Sequence, residues 1–478
     1  MSATTDFSPL TSPRATTGFV APAFAGRYKV LLCLLVAAFA TEFLARGPVR
    51  FLETGVAFND FIPPFVQAKA LVRGLDPYAP QTLLLLWPKD STQFGFLSKD
   101  VAAGTIEAKD GIPSPYPLSC LAVLAPISLI PWHVVRIALL ALNVISSLLL
   151  IAILLSLAKV GPPNPRTYVF VALALSLAPL HTAIAGANLI VLVCACGAGA
   201  IWFAEHNRNT LPGVLLAVGI CLKPPVGIVF LVYEVMRRRW HVALVALGLS
   251  ALITAAGILR LWVSGVNWVG SYLANINKMF APGAINDFTR ANPLRFHLLN
   301  LQMPIYSLTS SVSAANQITW LIVAALSLAW VRLMWRSRGH CGLLDLSAIA
   351  VIALLPSYHR FVDGLLLILP LCWCVTVRVK ELKAISRLVM FLLLPFLVPG
   401  ASLLVALAEK GVLPSALVTS RWWDAVVVPH EIWATLCISI ALLYAMRLRR
   451  AVTLRELKKY DGCGVSHPRA ALVDLPQT

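Results

Sequence analysis

The chain alternates long apolar runs with short polar connections, many of them basic. A helix needs about 20 residues to cross the hydrocarbon core of a bilayer. The pattern predicts spans over 28–46, 133–158, 167–183, 188–205, 241–263, 315–336, 342–356, 364–379, 386–407 and 431–448. Two further segments are ambiguous. Residues 116–131 (YPLSCLAVLAPISLIP) are apolar but short and bracketed by prolines, and residues 211–236 are interrupted by Lys223-Pro224-Pro225.

Positive charge chooses between the arrangements. Arg237-Arg238-Arg239, Arg332/Arg336/Arg338, Arg378/Lys380/Lys383 and Arg447/Arg449/Arg450 each follow an apolar run. If 116–131 crosses and 211–236 is one span, Lys159, Arg166 and Arg208 fall outside and the uncharged HTAIAGAN falls inside. If 116–131 lies at the outer interface and 211–236 is a broken helical hairpin, those cations move inside, where positive loops belong. The chain is therefore expected to be an all-α polytopic membrane protein of about 12 crossings, with both termini cytoplasmic.

The expected layout is a disordered, Pro/Ser/Thr-rich cytoplasmic tail over 1–27, a membrane domain over 28–448 and a basic cytoplasmic tail over 449–478. That last tail suits anionic headgroups of a plasma or inner membrane. The outer loops are a long first one, 47–132, and a second, 264–314. The first apolar run ends in TEFLARGPVR rather than at a small-residue cleavage site, so it reads as a retained helix.

Composition sharpens this picture. Hydrophobic residues make up 59% and charged residues 13%, against about 25% charged in an average soluble protein. Thirty-nine Lys+Arg against 21 Asp+Glu leave +18, but the cations cluster between apolar runs, so membrane lipids and not nucleic acid are the expected partners. Of ten cysteines, Cys33, Cys194, Cys196, Cys221, Cys372, Cys374 and Cys437 lie inside apolar runs, where a thiol is a small hydrophobe. There is no zinc spacing, no paired Asp-x-Asp near the first helix and no two-fold repeat of spans, so no metal or cofactor is expected and an inverted-repeat transporter is disfavoured.

The chosen topology collects the polar residues on the outer face: Asp60, Asp76, His181, Asn188, Lys223, Asp287, Arg290, Arg295, His359, Arg360 and Asp363. Asp60 either acts as a general base beside a membrane cavity or caps the helix that follows. Asp76-Pro77-Tyr78 reads as a turn. Lys223, at the hairpin tip, either meets a phosphate or snorkels to the headgroups. In SYHRFVDG, Tyr358, His359, Arg360 and Asp363 form either a carboxylate-oriented imidazole site or a capping cluster, His359 and Asp363 being four apart. His181 and Asn188 flank a short outer turn, and Arg290 and Arg295 are loop cations that could grip phosphate.

The residues DF-x5-QAKAL-x-RG-x-DPY after the first helix, then YPL, resemble glycosyltransferase family 87, of the GT-C superfamily. The similarity continues through LAPLHTAIAGANLIVLV, with Ala187 where a Gln is usual, through GVLLAVGICLKPPVGIVFLVYEVMRRRW, and into SYHRFVDG. The resemblance implies a GT-C fold and a hexose, mannose above all, carried on a polyprenyl phosphate and transferred outside the cytoplasm to a lipid or glycan acceptor. By matching position, Asp60 would be the catalytic carboxylate and His359 an active-site histidine. The chemistry also follows from first principles. A polyprenyl phosphate leaves without protonation, so the reaction needs one base for the acceptor hydroxyl and cations for the phosphate, with Lys223, Arg290, Arg295 and His359 as candidates. The alternatives are a transporter or flippase for an amphipathic solute, and a ligase joining a preformed polymer to lipid.

Overall fold

The computed structural model describes residues 24–53, 60–89, 91, 114, 116–336, 342–356, 358–398 and 400–461. Among them every regular element is helical, and the one β-type pairing is an isolated antiparallel bridge between Leu298 and Arg360. Five helices are long and apolar enough to cross a bilayer unaided: Tyr28–Glu53, Trp132–Leu157, Trp240–Val263, Val312–Arg336 and His430–Arg455. Two bent pairs, Pro165–Leu175 with Ala178–Ala185 and Lys380–Phe396 with Gly400–Glu409, raise the number to seven. The protein is an all-helical membrane protein.

In chain order, α1 (Phe24–Leu44) runs through a π turn at Pro48 into a short helix ending at Glu53. The first long loop follows. It holds α2 (Ile62–Arg73), started by Pro63-Pro64 and closed by Gly74 in the left-handed conformation (φ 67°), and a short helix over Pro80–Leu86. Residues 54–59 and 92–113 of this loop lie outside the described residues. The ambiguous segment 116–131 holds no helix long enough to cross a bilayer unaided. It forms α3 (Leu118–Leu124) and a 3-10 turn over Ile127–Leu129, and α3 packs against neighbouring helices. After it come α4 (Trp132–Leu157), α5 (Pro165–Leu175), α6 (Ala178–Ala185), α7 (Ile190–Glu205), α8 (Leu211–Leu222), α9 (Pro224–Met236), α10 (Trp240–Val263) and α11 (Val269–Met279).

Two breaks shape the site. The run expected to span as 167–183 is bent by 49° between α5 and α6. Pro179 has no N–H to give the carbonyl of Leu175 four residues back. His181 fills that gap, its Nε2 bonding the Leu175 oxygen, and its ring is buried edge-on to Phe43 with centroids 6.0 Å apart. The expected 386–407 span is likewise two pieces. At the other end of the chain, a single helix runs His430–Asp461 through the stretch expected to begin a basic tail at 449, and Arg449 bonds Asp345 at 2.7 Å. The far tails, 1–23 and 462–478, lie outside the described residues.

The second break is the hairpin of α8 and α9. Pro224 and Pro225 occupy the first two positions of α9, where a missing N–H costs nothing. Pro225 also leaves the Cys221 carbonyl without its helical donor, and Ser119 Oγ on α3 supplies one at 3.3 Å. The chain then folds back on itself. A Cβ on Gly227 would lie 2.6 Å from the Ile220 nitrogen and 2.7 Å from the Gly219 carbonyl carbon, atoms that a straight helix would hold about 10 Å away along its axis. Only glycine fits this contact.

Gly227→Ala must push the two arms apart. It is expected to destabilise the protein by about 1–3 kcal/mol and to lower the thermal unfolding temperature in detergent. Gly248→Ala, where a Cβ meets nothing within 4 Å, is the control and should be neutral or gain up to about 1 kcal/mol of helix propensity. Equal unfolding temperatures for the two variants would refute the close-packed hairpin.

Candidate active site

Four elements converge on one polar network: the turn before α2, the α6–α7 turn, the hairpin tip, and a 3-10 turn over Phe361–Leu367. The α6–α7 turn is built first, by backbone alone. Ala187 takes the left-handed conformation (φ 55°), and Asn188 N–H returns to the Ala183 carbonyl at 2.8 Å, closing α6 with a Schellman-type turn. The Asn188 side chain then caps α7, its Oδ1 accepting from Ile190 N–H at 3.0 Å.

Asn188 has two further duties. Its Oδ1 also accepts from Lys223 Nζ at 3.3 Å, and its Nδ2 donates to Asp60 Oδ2 at 2.8 Å. An amide can do both, since it carries an acceptor and a donor on one flat group. Asp60 is held from its backbone as well, its N–H donating to the Gly186 carbonyl at 2.8 Å and its own carbonyl accepting from Tyr116 Oη at 3.2 Å. Asp60 does not cap α2, whose first turn shows no side-chain cap.

On the far side, Lys223 Nζ forms an ion pair with Asp363 Oδ1. The carboxyl side chain is 4% exposed and the lysine side chain 19%, so the two charges neutralise one another away from water. The other carboxyl oxygen accepts from His359 Nδ1 at 3.0 Å and from Arg360 N–H at 3.3 Å, while Asp363 N–H donates to the Arg360 carbonyl at 2.8 Å. The capping cluster and the carboxylate-oriented imidazole are thus the same set of atoms. The segment is braced by Leu299 N–H on the His359 carbonyl at 2.6 Å and Leu301 N–H on the Leu355 carbonyl at 2.9 Å. Tyr358 stacks over His359 and makes a T-shaped contact with Phe280.

Asp60 has a different environment from Asp363. It keeps partial exposure, bonds only a neutral amide, and touches no cation. Burial raises its pKa above the usual carboxylate value; the Asn188 hydrogen bond and the charges of Arg360 and Lys223 pull the other way, more weakly. Among the described residues no group of three or more His, Cys, Asp or Glu could hold a metal ion.

The structure brings together Asp60, Asn188, Lys223, His359, Arg360 and Asp363, and places the other candidates elsewhere. His181 plugs the α5–α6 break. Asp76 makes a turn, its Oδ1 accepting from Tyr78 N–H at 2.9 Å, and ties that turn to Ser271 of α11 at 2.6 Å. Tyr78 is buried against Tyr272, its hydroxyl donating to the Tyr116 carbonyl at 2.9 Å. Arg290 and Arg295 both pair with Asp424, at 3.2 and 2.8 Å, and not with the network. Sequence reasoning missed Tyr116 and Asp424. The first opens the YPL motif, so a signal existed; nothing near Asp424 in sequence announces its partners.

The family model for glycosyltransferase family 87 matches residues 115–357, half of the chain. No curated protein and no solved structure matches significantly. The matched stretch contains Asn188 and Lys223, while Asp60 on one side and His359 and Asp363 on the other are joined to it by the bonds above. The chain belongs to glycosyltransferase family 87, and so to the enzymes that move a sugar from a donor to an acceptor.

Proposed function

We propose that the protein transfers a hexose, mannose by family resemblance, from a polyprenyl-phosphate donor to a lipid or glycan acceptor on the extracytoplasmic face of the cell membrane, with inversion. The observation that carries this reading is the contrast between the two carboxylates. Asp363 is neutralised by Lys223 and occupied by His359. Asp60 is anchored by its backbone, accepts from a single neutral donor, and is only partly buried as a residue. Of these two, Asp60 is the one without a cation in contact and so the one assigned to take a proton.

The reaction then needs one base. As the acceptor oxygen bonds the anomeric carbon, its proton passes to Asp60, and the carbon–oxygen bond to the donor phosphate breaks with its electron pair leaving on the phosphate. The products are a glycoside of inverted configuration and a polyprenyl phosphate. Burial supports the role, because a carboxylate with a raised pKa is a stronger base. His359, its Nδ1 bonded to Asp363, is assigned to contact the substrates through its other ring nitrogen. Lys223, engaged on both sides, is a positioning residue. Arg290 and Arg295 share one carboxylate, and their surplus charge draws the donor phosphate toward the second outer loop.

The arrangement fits a GT-C architecture in which the half-length helices and both arms of the hairpin bring the count to about 12 crossings, with both termini cytoplasmic. The transporter reading is less well supported. At the opposite end of α7, Arg237 pairs with Glu205 and Arg239 with Glu234, and Arg449 takes Asp345. These charges are spent on each other rather than lining a second half of a pathway.

Asp60→Asn should cut transfer by about 100-fold or more, measured in membranes supplied with a labelled lipid-linked sugar; near-normal transfer would end the proposal. The rate should also show an acid limb. Asp60 works ionised, so activity is low below its pKa and rises with pH, with a midpoint above the ordinary carboxylate value of about 3.9. Asn188→Ala removes the hydrogen bond that favours the ionised form, so its limb should move to higher pH. A limb that stays put or moves down would contradict the assignment.

A further inference from the structure

The charges of the network do not all find partners. It holds two carboxylates, Asp60 and Asp363, and two permanent cations, Lys223 and Arg360. Lys223 and Asp363 are in contact. That leaves Asp60 and Arg360, which do not touch each other, although the arginine is near enough for its charge to act on Asp60, on Tyr116 and on His297. Among the described residues the Arg360 guanidinium has neither ion pair nor hydrogen bond, and the residue is half-buried.

Its backbone, by contrast, is fully committed. Arg360 forms the isolated bridge with Leu298, gives its N–H to Asp363 and receives the Asp363 N–H. A residue pinned by its main chain and left unpaired at its charged end is set up to meet a guest. An exposed arginine would need no such explanation, but a half-buried one without a partner does, because an uncompensated charge away from water is costly.

We propose that the Arg360 guanidinium binds the phosphate of the lipid-linked donor and holds it as it departs. This rests on the reading of Asp60 as the base. In a direct displacement, the base acts on one side of the reacting carbon and the leaving group departs from the other, so the reaction needs a cation that is distinct from the base and not in contact with it. Arg360, joined to the network through its main chain and without a side-chain partner among the described residues, meets that need. The planar fork of a guanidinium matches two phosphate oxygens at once, and a cation already in position stabilises the developing charge without reorganisation. Lys223, which the sequence singled out for this task, is already neutralised.

The test uses the full-length protein in nanodiscs and two probes, a polyprenyl phosphate and the polyprenol of the same chain length. The wild type should bind the phosphate at least tenfold more tightly than the alcohol, as expected for charge-assisted hydrogen bonds. Arg360→Gln keeps every backbone bond described above. It should lose that preference while binding the alcohol as before, and Arg360→Lys should recover part of it. A preference unchanged in Arg360→Gln, a wild type without preference, or an equal loss for both probes would overturn the proposal. The first of those results would leave Asp60 as the base untouched, whereas normal transfer by Asp60→Asn would remove the reading on which this one rests.

Discussion

The buried ion pair between Lys223 and Asp363 is the constraint on which the site depends. A lysine at the tip of an apolar hairpin is costly unless compensated, and its partner comes from a turn 140 residues further along the chain. Bringing them together fixes the hairpin against the Phe361–Leu367 turn, holds the carboxylate that His359 bonds, and gives Asn188 a cation to accept from. Buried pairs of this kind contribute little net stability but are expensive to break, because the survivor is left as an unpaired charge. Here the pair serves placement. It occupies one carboxylate and leaves the other, Asp60, with no cation in contact.

That division of labour also explains why an amide stands between them. Asn188 passes no net charge from Lys223 to Asp60, so Asp60 is oriented without being neutralised. A carboxylate in its place would repel Asp60, and an aliphatic residue would leave the α7 N-terminus, Lys223 and Asp60 each short of a bond. Backbone geometry delivers the amide, through a left-handed Ala187 and a closed turn, before any side chain is considered.

Much of this was legible in the sequence where chain-local rules apply. Lys-Pro-Pro inside an apolar run, weighed with the placement of arginines, predicts a broken hairpin. Asp60, Lys223 and the His359/Asp363 spacing mark the ingredients of the site, and the prolines flanking 116–131 fit its breaking into a short helix and a 3-10 turn. Other features were not legible because they depend on contacts distant in sequence. The bend before α6 hides inside a uniformly apolar run, and His181, which looks like site chemistry, repairs that bend. Arg290 and Arg295 look like free cations until Asp424, more than a hundred residues on, is seen beside them. Lys223 looks like the phosphate ligand until its own partner is found, and the open charge of Arg360 is visible only once every other pair is made.

The central claim is that a single unpaired carboxylate drives a direct displacement, with no second carboxylate available to act as a nucleophile. The most direct test is the anomeric configuration of the transferred sugar, determined by NMR of the product formed from a donor of known configuration. The account predicts inversion. Retention would require a covalent glycosyl intermediate or its equivalent, and would contradict it.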